Sequence, residues 1–82
     1  MVAVDALAYL ADEPEALGRF LALAGIGPAM LRSAATDPAF LTGVLDYFMS
    51  DEPLLVAFAA KAGIRPERVA IARRVLGGED YQ

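Results

Sequence analysis

The positions of five prolines limit the length of every regular element that this 82-residue chain can form. Pro14, Pro28, Pro38, Pro53 and Pro66 are each followed by apolar residues that recur every three or four positions, which is typical of amphipathic helices. Proline suits the first turn of a helix, because its missing N–H would have no partner there. With a first stretch before Pro14, the pattern predicts six short helices, at about residues 2–11, 14–24, 28–35, 38–50, 53–62 and 66–76. No segment alternates as a strand would, so we expect an all-α fold in which the helices form a compact bundle.

Residues beside the prolines predict where the helices begin and end. Asp12 with Glu15 is typical of a capping pair, and Asp37 and Asp51 are candidate N-caps. Three glycines are expected to end helices in the left-handed conformation: Gly25, Gly63 and Gly77. Two further glycines fall inside predicted helices: Gly18 and Gly43. Glycine costs about 1 kcal/mol relative to alanine there, so this pair indicates either close helix crossings or tolerated substitutions.

The residues that mark the helix boundaries occur twice in a similar order. Residues 12–14 read Asp-Glu-Pro and lead to Ala-Gly-Ile-Gly-Pro at 24–28, while residues 51–53 repeat Asp-Glu-Pro and lead to Ala-Gly-Ile-Arg-Pro at 62–66. Two interpretations stay open: a duplicated three-helix unit, or two helix–turn–helix joints that share common boundary residues. The shared isoleucine and the shared acid pair favour duplication. We expect two units at about residues 2–35 and 38–76 around one core, in one domain of residues 1–78, followed by a flexible acidic tail at 79–82.

The residue types that are missing exclude several kinds of chemistry. The chain has no cysteine and no histidine, so it lacks the usual zinc ligands and the usual bases of nucleophilic catalysis. The acid clusters at residues 12–15 and 51–52 lack the spacing of a calcium loop, and helix capping is the favoured interpretation. We therefore expect no enzyme, no cofactor, no metal and no small-molecule substrate. The longest uncharged stretch, Phe20–Leu31, is too short and too interrupted to span a membrane, so we also expect a cytoplasmic protein.

Four segments of the chain carry a resemblance to a known family. They are Leu17–Gly25, Asp37–Leu41, Val44–Phe48 and Asp51–Glu52. Together the chain, from about Leu7 to Leu76, resembles a family of short, all-helical bacterial proteins that is catalogued as a domain of unknown function. The resemblance implies a bacterial and cytoplasmic origin. It implies no site residue, because the family has no assigned activity.

The joint between the last two predicted helices has the spacing of a DNA-binding helix-turn-helix. A small residue, a glycine four positions later and an aliphatic residue six positions after that occur at Ala59, Gly63 and Val69. The candidate phosphate contacts are Arg65, Arg68, Arg73 and Arg74. Glu67 and Ile71 would face the bases, however, and these side chains are poorly suited to recognising base edges, which Arg, Lys, Asn or Gln usually contact. The acidic rest of the chain would also repel DNA, so nucleic-acid binding is kept as the alternative to the interpretation that follows.

Several large apolar residues lie outside the main apolar stripes of their helices. The candidates for contact with a partner are Phe40, Tyr47, Met49 and Ile71. Soluble monomers rarely expose large apolar patches, so these residues favour a protein–protein interaction or assembly module. The partner would be another protein or a second copy of the chain. The competing interpretation is that six short helices need all these residues for their core.

Overall fold

The computed structural model describes residues 2–77, which form six α-helices joined by short turns. The helices are α1 (Val2–Ala11), α2 (Pro14–Ala24), α3 (Leu31–Ala34), α4 (Pro38–Met49), α5 (Glu52–Ala62) and α6 (Pro66–Leu76). No strand occurs in this part of the chain, so the predicted all-α bundle of about six short helices is confirmed. No helix among residues 2–77 is long and apolar enough to cross a membrane. The tail predicted at residues 79–82 lies outside the described residues.

The helices begin where the prolines and the capping aspartates place them. Proline occupies one of the first two positions of α2, α4, α5 and α6. The Asp37 carboxylate accepts a hydrogen bond from the Ala39 backbone N–H at 3.0 Å, and Asp51 accepts one from the Leu54 N–H at 3.2 Å. Each bond satisfies an N–H that has no partner within its helix, so both N-cap predictions are confirmed.

The predicted capping pair of Asp12 and Glu15 is wrong. The N-cap of α2 is Glu13, and its side chain makes no capping hydrogen bond. Because Pro14 takes the first helical position, the cap falls on the residue directly before it, one position later than Asp12. The α2 N-terminus therefore relies on proline alone, whereas α4 and α5 have both signals.

The turns after α2 and α5 share one backbone geometry. Gly25 and Gly63 are left-handed, with φ of 74° and 71°. In each turn the second residue after the helix donates its N–H back across the turn, Ile26 to the Leu21 carbonyl at 3.2 Å and Ile64 to the Ala59 carbonyl at 3.0 Å. This is the Schellman motif, which satisfies carbonyls at a helix end. The same geometry at both joints agrees with a duplicated unit, and the duplication itself stays a prediction.

The helix expected at residues 28–35 is the least regular part of the fold. A 3-10 turn over Pro28–Met30 leads into α3, which has four residues, whereas α6 has eleven. The chain is helical from residue 28 to residue 34, close to the predicted bounds, but its first turn is 3-10 and leaves only four residues for α3. The two predicted units therefore differ most in their third helix.

Helix α4 lies at the centre of the bundle and contacts α1, α2, α5 and α6. One face of α4 is fully covered, and its buried residues are Leu41, Val44, Leu45 and Phe48. The Phe48 ring lies 5.2 Å from the Phe58 ring and 6.3 Å from the Tyr9 ring, measured between centroids. Aromatic rings at such separations add stabilisation beyond the area they bury. The core therefore joins α1, α4 and α5 through three rings.

Three other glycine predictions have mixed outcomes. Gly77 ends α6 with φ of −81°, so the left-handed conformation predicted for it is wrong. A side chain added at Gly18 or Gly43 would meet no atom within 4 Å, so no close helix crossing explains either glycine. Both are helical positions with open space beside them.

The glycines provide a test of the backbone geometry. Gly63→Ala should lower the free energy of unfolding by about 1–2 kcal/mol, because alanine is strained at positive φ. Gly18→Ala is the matched control and should raise it by up to about 1 kcal/mol, because it improves an open helical position. Urea denaturation followed by circular dichroism measures both changes. Equal effects from the two substitutions would contradict the left-handed turn at Gly63.

Candidate functional site

A shallow apolar groove of about 560 Å³ runs between α2 and α4. Its lining residues are Phe20, Leu23, Ala24, Ala39, Phe40, Gly43, Asp46, Tyr47 and Ser50. The periodicity of the two helices explains this arrangement. The buried stripe of α4 faces the core, and the neighbouring stripe of the same helix lies beside α2 and stays open. The groove is therefore a second apolar face of the central helix.

Aromatic rings form the floor of the groove. The Phe20 ring lies 5.5 Å from the Phe40 ring and 5.3 Å from the Tyr47 ring, measured between centroids. Phe20 is buried, and Phe40 and Tyr47 are half-buried. Tilted and edge-on contacts of this kind hold rings in fixed positions. The floor is thus a preformed surface of three packed rings.

Leu23 and Gly43 shape the two sides of the groove. Leu23 on α2 is 77% exposed, the highest value among the large apolar side chains of the described residues that stand out to solvent. Gly43 on α4 has no side chain and no neighbour within 4 Å of a Cβ position. An exposed leucine beside an open glycine leaves room for the side chains of another molecule. The groove therefore has one apolar projection and one recess.

The structure brings together two of the four residues predicted to contact a partner. Phe40 and Tyr47 both line the groove and touch the same ring. Met49 and Ile71 are each 43% exposed but do not line it. The sequence reasoning missed Leu23, although it lies beside the apolar stripe of α2. A search for large apolar residues next to a stripe, which found the residues on α4, would have found Leu23 if applied to α2.

One charged residue, Asp46, lines the groove, and it binds α6. The Arg73 Nε donates a hydrogen bond to Asp46 Oδ1 at 2.8 Å, and the Arg73 Nη2 lies 3.5 Å from Asp46 Oδ2. The Asp46 side chain is 50% exposed and the Arg73 side chain 27%. These two contacts link the exposed edges of α4 and α6. Arg73 thus lies in an ion pair within the chain, and its predicted contact with phosphate stays a prediction.

The joint between α5 and α6 turns at the left-handed Gly63. Ala59 and Val69 are buried on either side of the left-handed Gly63. Three of the arginines predicted to contact phosphate are exposed: Arg65, Arg68 and Arg74. The joint between α2 and the 3-10 turn has the same left-handed glycine without that set of arginines. The geometry is therefore a general way of packing two helices, to which α6 adds positive charge.

A second, smaller cavity of about 270 Å³ lies between α1 and α5. Its lining includes Asp5, Asp12, Tyr9 and Lys61. The Lys61 Nζ lies 5.9 Å from the centre of the Tyr9 ring, so a cation of the chain itself covers the aromatic face. Within residues 2–77, no three acidic side chains converge as a metal site would need.

Comparison with known proteins gives a family for almost the whole chain. A family model described as "Protein of unknown function (DUF3572)" matches residues 1–79. No curated protein and no solved structure matches the chain. The resemblance to an uncharacterised family is thereby confirmed.

The ion pair between Asp46 and Arg73 should contribute little to stability. We expect a coupling energy of about 0.5 kcal/mol from a double-mutant cycle with Asp46→Asn and Arg73→Gln, because both side chains reach solvent. The coupling should shrink in high salt. Urea denaturation of the four proteins at low and high salt measures it. A coupling above about 2 kcal/mol that is insensitive to salt would contradict a solvent-screened pair.

Proposed function

Because this chain belongs to the DUF3572 family, whose description gives no activity, we propose its function from its own surface: it is a non-enzymatic protein-interaction module that binds a helix in the groove between α2 and α4. The observation that carries the proposal is the groove itself, with packed rings as its floor and Leu23 almost fully exposed beside it. Soluble monomers seldom expose contiguous apolar patches larger than about a few hundred Å². An amphipathic helix is the usual occupant of such a groove.

The polar groups of the groove support a protein ligand rather than a small-molecule substrate. Small-molecule sites combine a concave apolar pocket with a few convergent polar groups that fix orientation. Here the polar side chains are Asp46, Ser50 and Tyr47. Asp46 is held by Arg73, and the Ser50 hydroxyl donates to the Tyr47 carbonyl at 2.8 Å. The groove thus offers apolar area and little directed hydrogen bonding, which suits the apolar face of a helix.

We also propose a cytoplasmic location. The absence of cysteine fits a chain that needs no disulfide for its stability. The exposed edges of most helices carry acids rather than the lysines and arginines of a membrane-surface helix. We also propose a bacterial origin, and only the family resemblance supports it.

Substitution of Gly43 tests the proposed groove. Gly43→Leu should fill the recess, since a Cβ at this position meets no neighbour within 4 Å, and it should favour α4 by almost 1 kcal/mol because leucine is a better helix former. Gly18→Leu is the matched control, since Gly18 is also helical and open but lies outside the groove. A photo-crosslinking amino acid at Leu23 then reports binding in cells that express each variant.

We expect cross-links from position 23 to a defined protein, lost in Gly43→Leu and kept in Gly18→Leu. Mass spectrometry identifies the linked protein and its linked segment, which should be helical and apolar on one face. Cross-links that persist in Gly43→Leu, or none from position 23 in cells, would contradict the groove as the binding surface. Thermal denaturation confirms that both variants are folded.

The basic joint of α5 and α6 favours a second candidate function, binding of nucleic acid. The specific observation is that Arg65, Arg68 and Arg74 are exposed beside a correctly turned Gly63. Opposing it are the net charge of −4 and the acid at Glu67 on the candidate reading face. We therefore rank it below the groove.

A titration of labelled duplex DNA of mixed sequence tests this alternative. If four arginines contact phosphates, affinity should fall about a hundredfold between about 50 and 200 mM salt. We expect no binding at either salt concentration. Salt-dependent binding that is lost on changing Arg65 and Arg68 to glutamine would overturn our ranking of the two functions.

A further inference from the structure

We propose, on the basis of the proposed function, that the groove between α2 and α4 receives helix α6 of a second copy of this chain. Three properties of the described residues support this contact: the apolar outer face of α6, the opposite net charges of α6 and the preceding part of the chain, and the matching lengths of the helix and the groove.

Helix α6 has an uncovered apolar face opposite to the face that anchors it. Val69 is buried, and Ala72 and Leu76 pack partly against the core. Ile71 and Val75, four positions apart, are 43% and 56% exposed. Residues four apart lie on one side of a helix, so these two form a single apolar ridge. The ridge is unexplained by packing within the chain.

Helix α6 and the preceding part of the chain carry opposite net charges. Residues 2–60 contain eight acids and two arginines, which are Asp5, Asp12, Glu13, Glu15, Asp37, Asp46, Asp51, Glu52, Arg19 and Arg32. Residues 61–76 contain five basic residues and one acid, which are Lys61, Arg65, Arg68, Arg73, Arg74 and Glu67. The exposed Arg68 and Arg74 lie on α6 near the apolar ridge. A basic helix with an apolar ridge is complementary to an apolar groove in an acidic body.

The lengths of the helix and the groove agree. On α4 the groove extends from Ala39 to Ser50, which corresponds to about 16 Å of helix. Helix α6 has eleven residues and is likewise about 16 Å long. The floor rings and Leu23 would cover Ile71 and Val75, and the recess at Gly43 provides space for one of the two side chains. No part of the chain needs to unfold for this contact to form.

The contact joins two different surfaces, so its symmetry has consequences. If two copies exchange α6 contacts around a two-fold axis, both grooves are filled and the assembly is a closed dimer. If the contact forms only once per pair, it extends head to tail into larger assemblies. Either assembly fills the groove with the same residues.

Sedimentation of the purified chain tests the proposal. We expect the weight-average mass to rise above that of the monomer between about 10 and 500 µM, a range in which weak complexes form. The double substitution of Ile71 and Val75 to serine should weaken association about tenfold or more. Val56→Ser is the matched control, since Val56 is 49% exposed on α5 and lies outside both surfaces, and it should associate as the parent chain does.

A cross-link within purified protein identifies the contact. A photo-crosslinking amino acid at Leu23, in a mixture of ¹⁴N- and ¹⁵N-labelled chains, should give mixed-isotope peptides that join α2 to α6. A strictly monomeric chain at the highest concentration, or association unchanged by the Ile71 and Val75 substitutions, would overturn the inference. The proposed function is judged separately, because binding of a different protein at position 23 in cells would survive that result.

Discussion

Helix α4 packs the core with one apolar stripe and forms the groove with the next, and the rest of the structure depends on this arrangement. The stripe that contains Val44, Leu45 and Phe48 is enclosed by four other helices, and this stripe gives the bundle its core. The chain fully encloses one apolar stripe of this twelve-residue helix and leaves the adjacent stripe partly open. Phe40 and Tyr47 on that stripe are half-buried and pack on Phe20 of α2. The groove is related to the size of the domain, because a small domain buries a smaller fraction of its surface and leaves part of its central helix uncovered.

The helix boundaries could be predicted from the sequence because the signals that set them are local. Proline, a capping aspartate or a glycine acts within one turn, as Asp51 and Gly63 illustrate. The 3-10 turn at residues 28–30 could not be predicted, because apolar residues spaced by three and four fit a 3-10 turn as well as an α-helix. Half of the candidate site could be predicted from the sequence, because Phe40 and Tyr47 lie on the same side of one helix. The placement of Leu23 of α2 beside α4 is a tertiary arrangement that no local spacing encodes. For the same reason the open space at Gly43 could not be predicted.

The distribution of charge separates stability from recognition in this fold. No polar or charged residue among residues 2–77 is buried, so the core is held by apolar packing and aromatic contacts alone. The ion pair of Asp46 with Arg73 lies at the surface between α4 and α6. Charged side chains therefore lie where they can influence which surfaces attract each other. This division explains how an acidic body can carry a basic last helix at little cost to its stability.

Helix α6 also determines when the domain can fold during synthesis. The helix contacts α1 and α4, and Val69 is fully enclosed between elements that are far apart in the sequence. On a ribosome, α1 to α5 emerge first and leave an apolar cleft where Val69 will lie. Long-range contacts of this kind cannot stabilise the fold until both contacting helices have left the exit tunnel. The core around Val69 is therefore completed only after residue 76 has left the exit tunnel.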